Sequence, residues 1–256
     1  MTPAKVLVTR PAREAARWVR DLRAAGLDAV ALPLIAIEPL DDPSALHAAW
    51  QRLPECDALM FVSAAAAEHF LGDSGLRWPA RPRCWSTGPG TTRALREAGV
   101  PASAIDAPPA DAPQFDSENL WALVRPQVHP GSRVLIVRGG DASGQAAGRD
   151  WLEREIAAAG GSVDTVAAYR RLAPAFGDTE RQLAVEAAGG AAIWLFSSSE
   201  AIGNLCRAMP ALHWRQARAI ATHERIGEAA RDAGFGLVRV CRPAREALVA
   251  SIESFA

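Results

Sequence analysis

The chain has 256 residues, of which 49% are apolar and 22% are charged, so it is long enough for two small domains with ordinary cores. Its formal net charge of −1 argues against a general nucleic-acid binder, because such proteins usually carry a basic excess. No apolar run is long enough to span a bilayer, and the four cysteines are dispersed without metal-ligand spacing.

These features predict a cytoplasmic protein. The N-terminal residues MTPAKVLVTR lead directly into a strand pattern and do not form a signal peptide. The cysteines are predicted to be reduced, partly buried thiols.

The first predicted elements form a βαβ unit. Residues 5–9 (KVLVT) are a short β-branched run, typical of a buried parallel strand. Apolar residues at helical spacing follow over about 14–25 and end at Gly26, and residues 29–32 predict the next strand. Such a unit is expected to have a right-handed crossover.

The same pattern returns in the second half of the chain. Residues 133–137 predict a strand, 149–159 a helix and 163–169 another strand. Residues 60–64 (MFVSA) and 88–100 have counterparts 135 positions later, in LFSSS and in a segment that repeats Ala, Arg, Ala and Gly at matching places. We interpret this as an internal duplication.

Two proline-bearing stretches, residues 34–43 and 170–174, are predicted to be crossings between lobes. The first lobe then comprises residues 1–37 plus 173–256, and the second comprises residues 38–172. The predicted fold class is α/β, with two similar lobes that are each a parallel sheet flanked by helices (flavodoxin-like), joined by two crossing linkers. The proline-rich segment 101–113 is predicted to be a surface loop.

Small polar residues and arginines follow the predicted strands, at the edge where parallel α/β sheets bind ligands. Backbone N–H groups and helix dipoles at such turns favour anions by about 0.3–1 kcal/mol each. Simple helix capping would use the same Ser and Thr residues, but six such turns on a duplicated frame favour a shared anion-binding cleft between the lobes. The candidate residues are Thr9, Arg10, Ser63, Gly88, Thr91, Arg138, Gly139, Ser197, Ser198, Ser199 and Thr222.

Standard cofactor and metal motifs are missing from the sequence. It contains no G-x-G-x-x-G, no G-K-[ST], no H-E-x-x-H and no G-x-S-x-G. We therefore expect no cofactor and no metal.

Tyr169 is the only tyrosine, at a predicted strand end. As a structural residue it would be a core aromatic with its hydroxyl at the surface. As a functional residue, its phenol would stay protonated at neutral pH and could donate a proton to a leaving oxygen.

Seven motifs in order resemble one family, the uroporphyrinogen-III synthases, and together they cover nearly the whole chain. They are VLVTRP at 6–11, FVSAAA at 61–66, STGPGTTRALREAGV at 86–100, VLIVRGG at 134–140, VDTVAAYRR at 163–171, LFSSSEA at 195–201 and ATHERIGEAARDAGF at 221–235. The resemblance implies the two-lobed fold and a cofactor-free lyase of tetrapyrrole (haem, sirohaem, cobalamin) biosynthesis.

The implied substrate is hydroxymethylbilane, a linear tetrapyrrole with acetate and propionate side chains. Water would leave from its hydroxymethyl end, and the ring would close through a spiro intermediate that inverts the last pyrrole. Tyr169 aligns with the tyrosine proposed in that family to assist departure of the hydroxyl group. The strand-end residues named above would bind the carboxylates. A monomer that receives its substrate from the preceding deaminase, without nucleic acid or membrane, is expected.

The chain departs from the family pattern at two turns. Val62 stands where a threonine is common, and His223-Glu224 replaces a usual Gly-Pro, which brings a negative charge near an expected carboxylate unless Glu224 faces solvent. Two other functions stay open: a ligand-binding or sensory protein that has lost catalysis on the same frame, and a generic binder of small anions.

Overall fold

The computed structural model describes residues 5–72, 78–79, 81–109, 112, 114–148 and 150–255. The strands within this part of the chain are β1 (Lys5–Val8), β2 (Ala29–Ala31), β3 (Ala36–Glu38), β4 (Ala58–Phe61), β5 (Arg83–Ser86), β6 (Ile105–Asp106), β7 (Arg133–Gly140), β8 (Ser162–Leu172), β9 (Ala192–Phe196), β10 (Arg218–Ala221) and β11 (Leu237–Val240). The helices are α1 (Ala12–Ala24), α2 (Ser44–Gln51), α3 (Ala64–Leu71), α4 (Pro89–Glu97), α5 (Ser117–Val124), α6 (Trp151–Ala158), α7 (Asp178–Ala188), α8 (Ser199–Ala208), α9 (Glu224–Asp232) and α10 (Arg245–Glu253). None of the described helices is long and apolar enough to cross a membrane.

The chain divides into two compact units, and each contains one sheet. The first unit comprises Met1–Ala36 and Ala173–Ala256, and the second comprises Ile37–Leu172. The sheet of the first unit has the strand order β11-β10-β9-β1-β2, and that of the second has the order β3-β8-β7-β4-β5-β6. All neighbouring strands of the first sheet, and those from β8 to β6 in the second, pair in parallel. The predicted α/β class with parallel sheets and flanking helices is confirmed.

Both sheets are assembled from both halves of the chain. In the first unit β1 pairs with β9, with Val8 opposite Leu195. In the second unit β7 pairs with β4, with Ile136 opposite Met60. Leu195 and Met60 are equivalent positions of the repeat, so the β1–β9 pair of the first sheet and the β7–β4 pair of the second have the same register. Apart from the edge strand β3, each sheet thus takes two strands from one repeat and three from the other.

The central strand β4 shows why the sequence forms a sheet that is covered on both faces. All four of its residues are buried. Leu59 and Phe61 belong to one core cluster, and Ala58 and Met60 belong to another. Because side chains alternate along a strand, a continuous apolar run supplies both cores.

Both segments that were predicted to be crossings contain residues of a β-strand. Within segment 34–43, β3 lies beside β8, and β8 itself runs on to Leu172. Arg170 ties these strands together, because its guanidinium donates to the Pro39 carbonyl (3.1 Å) and to Glu38 (3.2 Å). Prolines are tolerated beside an edge strand such as β3, and Pro174 lies beyond the end of β8, so the prolines of these segments did not reveal the two strands.

The predicted loop 101–113 also contains a short edge strand, β6, that pairs with β5. Arg83 anchors the segment by donating to the Ser103 carbonyl (2.9 Å) and to the Asp106 carboxylate (2.8 Å). Positions 110, 111 and 113 of the segment lie outside the described residues.

Candidate active site

Ser63 lies at the carboxyl end of β4, directly before α3. Its hydroxyl oxygen accepts a hydrogen bond from the Ala66 N–H (3.1 Å) and so caps the helix. The same oxygen lies 3.3 Å from the hydroxyl oxygen of Tyr169, and either group can donate. The cap therefore fixes a serine hydroxyl next to the tyrosine.

Tyr169 reaches this position through a β-bulge. Arg138 of β7 is opposite Ala167 of β8, but Gly139 is opposite Tyr169, so Ala168 is an extra residue. Tyr169 and Ala168 belong to the same core cluster, whereas strict alternation would place them on opposite faces. The bulge therefore turns Tyr169 toward the face that α3 covers.

Tyr169 is 4% exposed, and its ring packs between the Gly139 main chain and the His69 ring. A Cβ atom at Gly139 would lie 2.7 Å from two of its ring carbons and 2.9 Å from its hydroxyl oxygen. The ring of His69, on α3, has its centroid 5.4 Å from that of Tyr169. Close packing against Gly139 and His69 thus fixes the Tyr169 ring, with its hydroxyl oxygen next to Ser63.

The turn after β5 is tied to the turn after β4. The Thr87 hydroxyl donates to the Val62 carbonyl (3.3 Å) and lies 3.5 Å from the hydroxyl oxygen of Thr91. Gly88 precedes α4, and a Cβ there would lie 3.0 Å from the Cβ of Phe115. Gly88 and Thr91 are therefore buried at the turn that adjoins the Ser63 turn.

Arg138 supplies positive charge at the same edge of the sheet. Its side chain is 11% exposed, and its Nη1 donates to Glu153 at 3.1 Å. The Thr165 hydroxyl donates to the same carboxylate oxygen (3.4 Å). Glu153 therefore both orients the guanidinium and offsets part of its charge.

The first unit places Thr9 and Arg10 at the corresponding edge. The Thr9 hydroxyl is buried and donates to the Leu195 carbonyl (2.7 Å). Arg10 pairs with Glu14 (2.8 Å), and its guanidinium carbon lies 4.8 Å from the centroid of the Trp18 ring. Arg10 thus repeats the Arg138 arrangement, with an acidic partner that orients it.

Three serines follow β9 in the first unit. Ser198 caps α8 by accepting from the Glu200 N–H (3.2 Å), with Ser197 before it and Ser199 as the first helical residue. Ser197 and Ser198 are half-buried and Ser199 is exposed. These serines repeat the Ser63 turn.

The turn after β10 carries Thr222 and the two residues that depart from the family pattern. Thr222 is buried, and its N–H donates to the Phe196 carbonyl (3.0 Å). His223 caps α9 by accepting from the Arg225 N–H at Nδ1 (3.2 Å). The Glu224 side chain is 58% exposed and pairs with Arg231 at 2.9 Å, so the charge of Glu224 is compensated at this turn.

The structure therefore brings Tyr169, Ser63 and Gly139 into contact in the second unit, with Gly88, Thr91 and Arg138 along the same sheet edge. Thr9, Arg10, Ser197, Ser198, Ser199 and Thr222 occupy that edge of the first unit's sheet. The sequence pattern places Thr87 in the strand-end turn before α4, and sequence reasoning missed His69. The repeat pairs Thr87 with the candidate Thr222 and His69 with Asn204.

A surface hollow of about 550 Å³ touches Ala58, Arg83 and Val134, at the amino ends of β4, β5 and β7. Ligand chemistry in parallel sheets belongs to the opposite edge, where the hydroxyls lie. No group of three potential metal ligands occurs among the residues that the structure describes.

These features define a duplicated, doubly wound α/β protein that presents hydroxyl and arginine side chains at the carboxyl ends of its strands. The family model described as uroporphyrinogen-III synthase HemD matches residues 16–250. The chain belongs to the uroporphyrinogen-III synthase family.

Relatives support this membership. A uroporphyrinogen-III synthase from Chlorobaculum parvum is 31% identical over 184 residues, which cover 69% of this chain and 67% of that protein. One from Synechococcus elongatus is 27% identical over 206 residues, covering 80% of this chain and 74% of that protein.

Solved structures share the fold. A mutant uroporphyrinogen III synthase from the extremely thermophilic bacterium Thermus thermophilus matches with a TM-score of 0.56 at 15% identity, and 98% of each chain is covered. The Helicobacter pylori enzyme matches with a TM-score of 0.54 at 14% identity, covering 99% of this chain and 100% of that one.

The resemblance drawn from the sequence motifs is therefore confirmed. So is the predicted enzyme class, a lyase of porphyrin and tetrapyrrole biosynthesis from the family that cyclises hydroxymethylbilane.

Proposed function

We propose that this chain converts hydroxymethylbilane into uroporphyrinogen III, with Tyr169 as its catalytic residue. The observation that carries the proposal is the phenol of Tyr169, held 3.3 Å from the Ser63 hydroxyl at the carboxyl edge of the second sheet. Parallel α/β sheets bind their ligands at this edge, beyond the carboxyl ends of the strands.

In the first step the carbon–oxygen bond of the hydroxymethyl group breaks. Tyr169 donates its proton to the departing oxygen, so water leaves and a protonated azafulvene cation remains beside the phenolate. The Ser63 hydroxyl then donates to the phenolate oxygen of Tyr169 and stabilises its charge.

In the second step the substituted carbon of the last ring attacks the azafulvene carbon and forms the spiro intermediate. Fragmentation and reclosure invert that ring, and the final loss of a proton from carbon returns a proton to Tyr169. The net change is the loss of one water molecule.

The protein must also control shape, because the free substrate closes without help to the symmetric isomer. We assign the carboxylates of the substrate to the donor-rich strand ends. Holding many carboxylates at once restrains the two ends of the flexible chain, which is an orientation effect. The assigned residues are Thr9, Arg10, Ser63, Gly88, Thr91, Arg138, Gly139, Ser197, Ser198, Ser199 and Thr222. Both the hydroxyl (2.7 Å) and the N–H (3.3 Å) of Thr9 already donate to the Leu195 carbonyl, so in this assignment Thr9 contributes by holding the turn that carries Arg10.

An isomer assay tests the function. Freshly made hydroxymethylbilane is supplied to the purified protein, the products are oxidised, and the ratio of type III to type I macrocycle is measured. We expect mostly type III. Mostly type I, as in a protein-free control, would reject the proposed activity.

We further propose that the protein acts as a cytoplasmic monomer that takes its substrate from the preceding deaminase. The instability of the free substrate supports direct transfer. A coupled assay with the deaminase and an excess of an inactive variant as trap would show type I product if the substrate is released into solution.

A further inference from the structure

Gly139 allows a close approach between a strand backbone and a tyrosine ring. A Cβ at Gly139 would lie 2.7 Å from Cε2 and Cζ of Tyr169 and 2.9 Å from the hydroxyl oxygen. Side-chain carbons do not approach ring atoms this closely, so any other residue at this position must displace the ring.

Backbone conformation does not explain this glycine. Gly139 is not among the glycines of the described chain that have a positive φ. Its neighbour across the ladder is Tyr169 itself, paired through the bulge at Arg138/Gly139. The reason for a glycine is therefore the space that the Tyr169 ring takes.

The ring has little room to move elsewhere. It is 4% exposed and belongs to the core cluster that α3 covers. The His69 ring also packs against it, at 5.4 Å between centroids. A shift of the ring would change the 3.3 Å separation between its hydroxyl and Ser63.

The other half of the duplication supports a link between glycine and tyrosine. The repeat places Pro11 of the first unit where the second unit has Gly139. The chain has one tyrosine, and it lies in the unit that has the glycine.

We propose that Gly139 is a positioning residue for the reaction: its missing side chain seats Tyr169 so that the phenol stays beside Ser63. This inference rests on the proposed function, because it assigns Gly139 a role through the proton donor. Gly139 then does more than offer a backbone N–H to the substrate.

The direct test is Gly139→Ala. We expect kcat to fall by about 10- to 100-fold with little change in KM, because an ångström-scale misplacement of a reacting group costs about that much. Gly189→Ala is the matched control, since a Cβ there would meet only the Glu186 carbonyl at an ordinary 3.5 Å.

A spectroscopic readout separates positioning from general loss of structure. Because Tyr169 is the only tyrosine, protein grown with 3-fluorotyrosine gives one ¹⁹F resonance that reports this ring alone. We expect Gly139→Ala to shift that resonance and Gly189→Ala to leave it in place. An unshifted resonance in Gly139→Ala would overturn the inference.

A double-variant comparison distinguishes failure of this inference from failure of the proposed function. If Gly139 acts through Tyr169, adding Gly139→Ala to Tyr169→Phe lowers kcat little further. Full activity of Gly139→Ala beside an impaired Tyr169→Phe would overturn the positioning role alone. Full activity of Tyr169→Phe would overturn the catalytic role, and the ¹⁹F shift would still decide how the ring is seated. If Gly139→Ala does not fold, Ser63→Ala provides a second test, because it removes the hydrogen-bond partner of the Tyr169 hydroxyl. An unmoved ¹⁹F resonance in Ser63→Ala would count against the proposed seating of the phenol beside Ser63.

Discussion

His69 and Asn204 occupy equivalent positions of the two repeats, and each contacts the βαβ unit that the other repeat contributes to its sheet. His69 packs on the Tyr169 ring at 5.4 Å between centroids. Asn204, 3% exposed, donates from Nδ2 to the Leu34 carbonyl at 2.7 Å. One position of the repeat thus contacts the proposed proton donor in the second unit, through His69, and makes a structural hydrogen bond in the first, through Asn204.

Tyr169→Phe is expected to lower kcat by about a hundredfold to ten-thousandfold, since it removes the proposed proton donor and keeps the ring. Circular dichroism and the melting temperature should stay close to those of the wild type. Single-turnover rates of water loss provide the measurement. An unchanged rate would remove Tyr169 from the mechanism.

Asn204→Ala is expected to destabilise the first unit by about 1–3 kcal/mol, because it removes the donor to a buried carbonyl. Urea unfolding measures the change in the free energy of unfolding. Gln182→Ala is the matched control, since the bond from Gln182 to Glu186 (3.0 Å) is exposed, and the effect of losing it should stay within about 0.5 kcal/mol. Equal effects of the two substitutions would contradict the role of Asn204.

Glu224→Gln is expected to change KM by less than about twofold, because Arg231 already compensates the charge and the side chain is 58% exposed. Arg231→Gln is expected to raise KM for hydroxymethylbilane, since it leaves the Glu224 carboxylate uncompensated beside Thr222. Steady-state kinetics at low and physiological salt measure both values. A large fall in KM for Glu224→Gln would show that this carboxylate opposes substrate binding.

Asp141 is expected to make stability depend on acid pH. Hydrogen bonds from the Ser143 hydroxyl (2.7 Å) and from backbone N–H groups lower the pKa of its carboxyl from the ordinary value of 3.8. The carboxyl of Asp141 therefore binds a proton less tightly in the folded state than in the unfolded state. The stabilisation that its hydrogen bonds provide is present above about pH 4 and is lost as pH falls through the lowered pKa. Asp141→Asn should be less stable than the wild type near pH 6, and this difference should shrink toward pH 3 in unfolding experiments. A difference that grows with acidity would contradict the assignment.

Cleavage of the chain in the exposed turn between Pro130 and Gly131 is expected to leave two fragments that fold only together. Each sheet needs strands from both halves: β1 pairs with β9, and β4 pairs with β7. Separately purified fragments 1–130 and 131–256 should lack cooperative unfolding, and mixing them should restore it together with activity. Cooperative unfolding of either fragment alone would contradict this interdependence.

Much of the fold could be predicted from local pattern. The buried runs of β1, β4 and β9, the helical spacing of Ala15, Val19 and Leu22 in α1, and the repeat over 135 residues indicate a duplicated α/β chain. The short edge strands β3 and β6 could not be found in this way. They have three and two residues, and it is their pairing with β8 and β5 that makes them strands.

The sequence by itself determined the element types, the duplication and the small polar residues at the strand ends, because periodicity and turn chemistry are local properties. Only the tertiary structure decided that β1 lies beside β9, which is far away in the chain, since strand partners are chosen by which faces become buried. It also decided which face Tyr169 occupies. Strict alternation would turn that side chain away from Ser63, and the bulge opposite Gly139 reverses it.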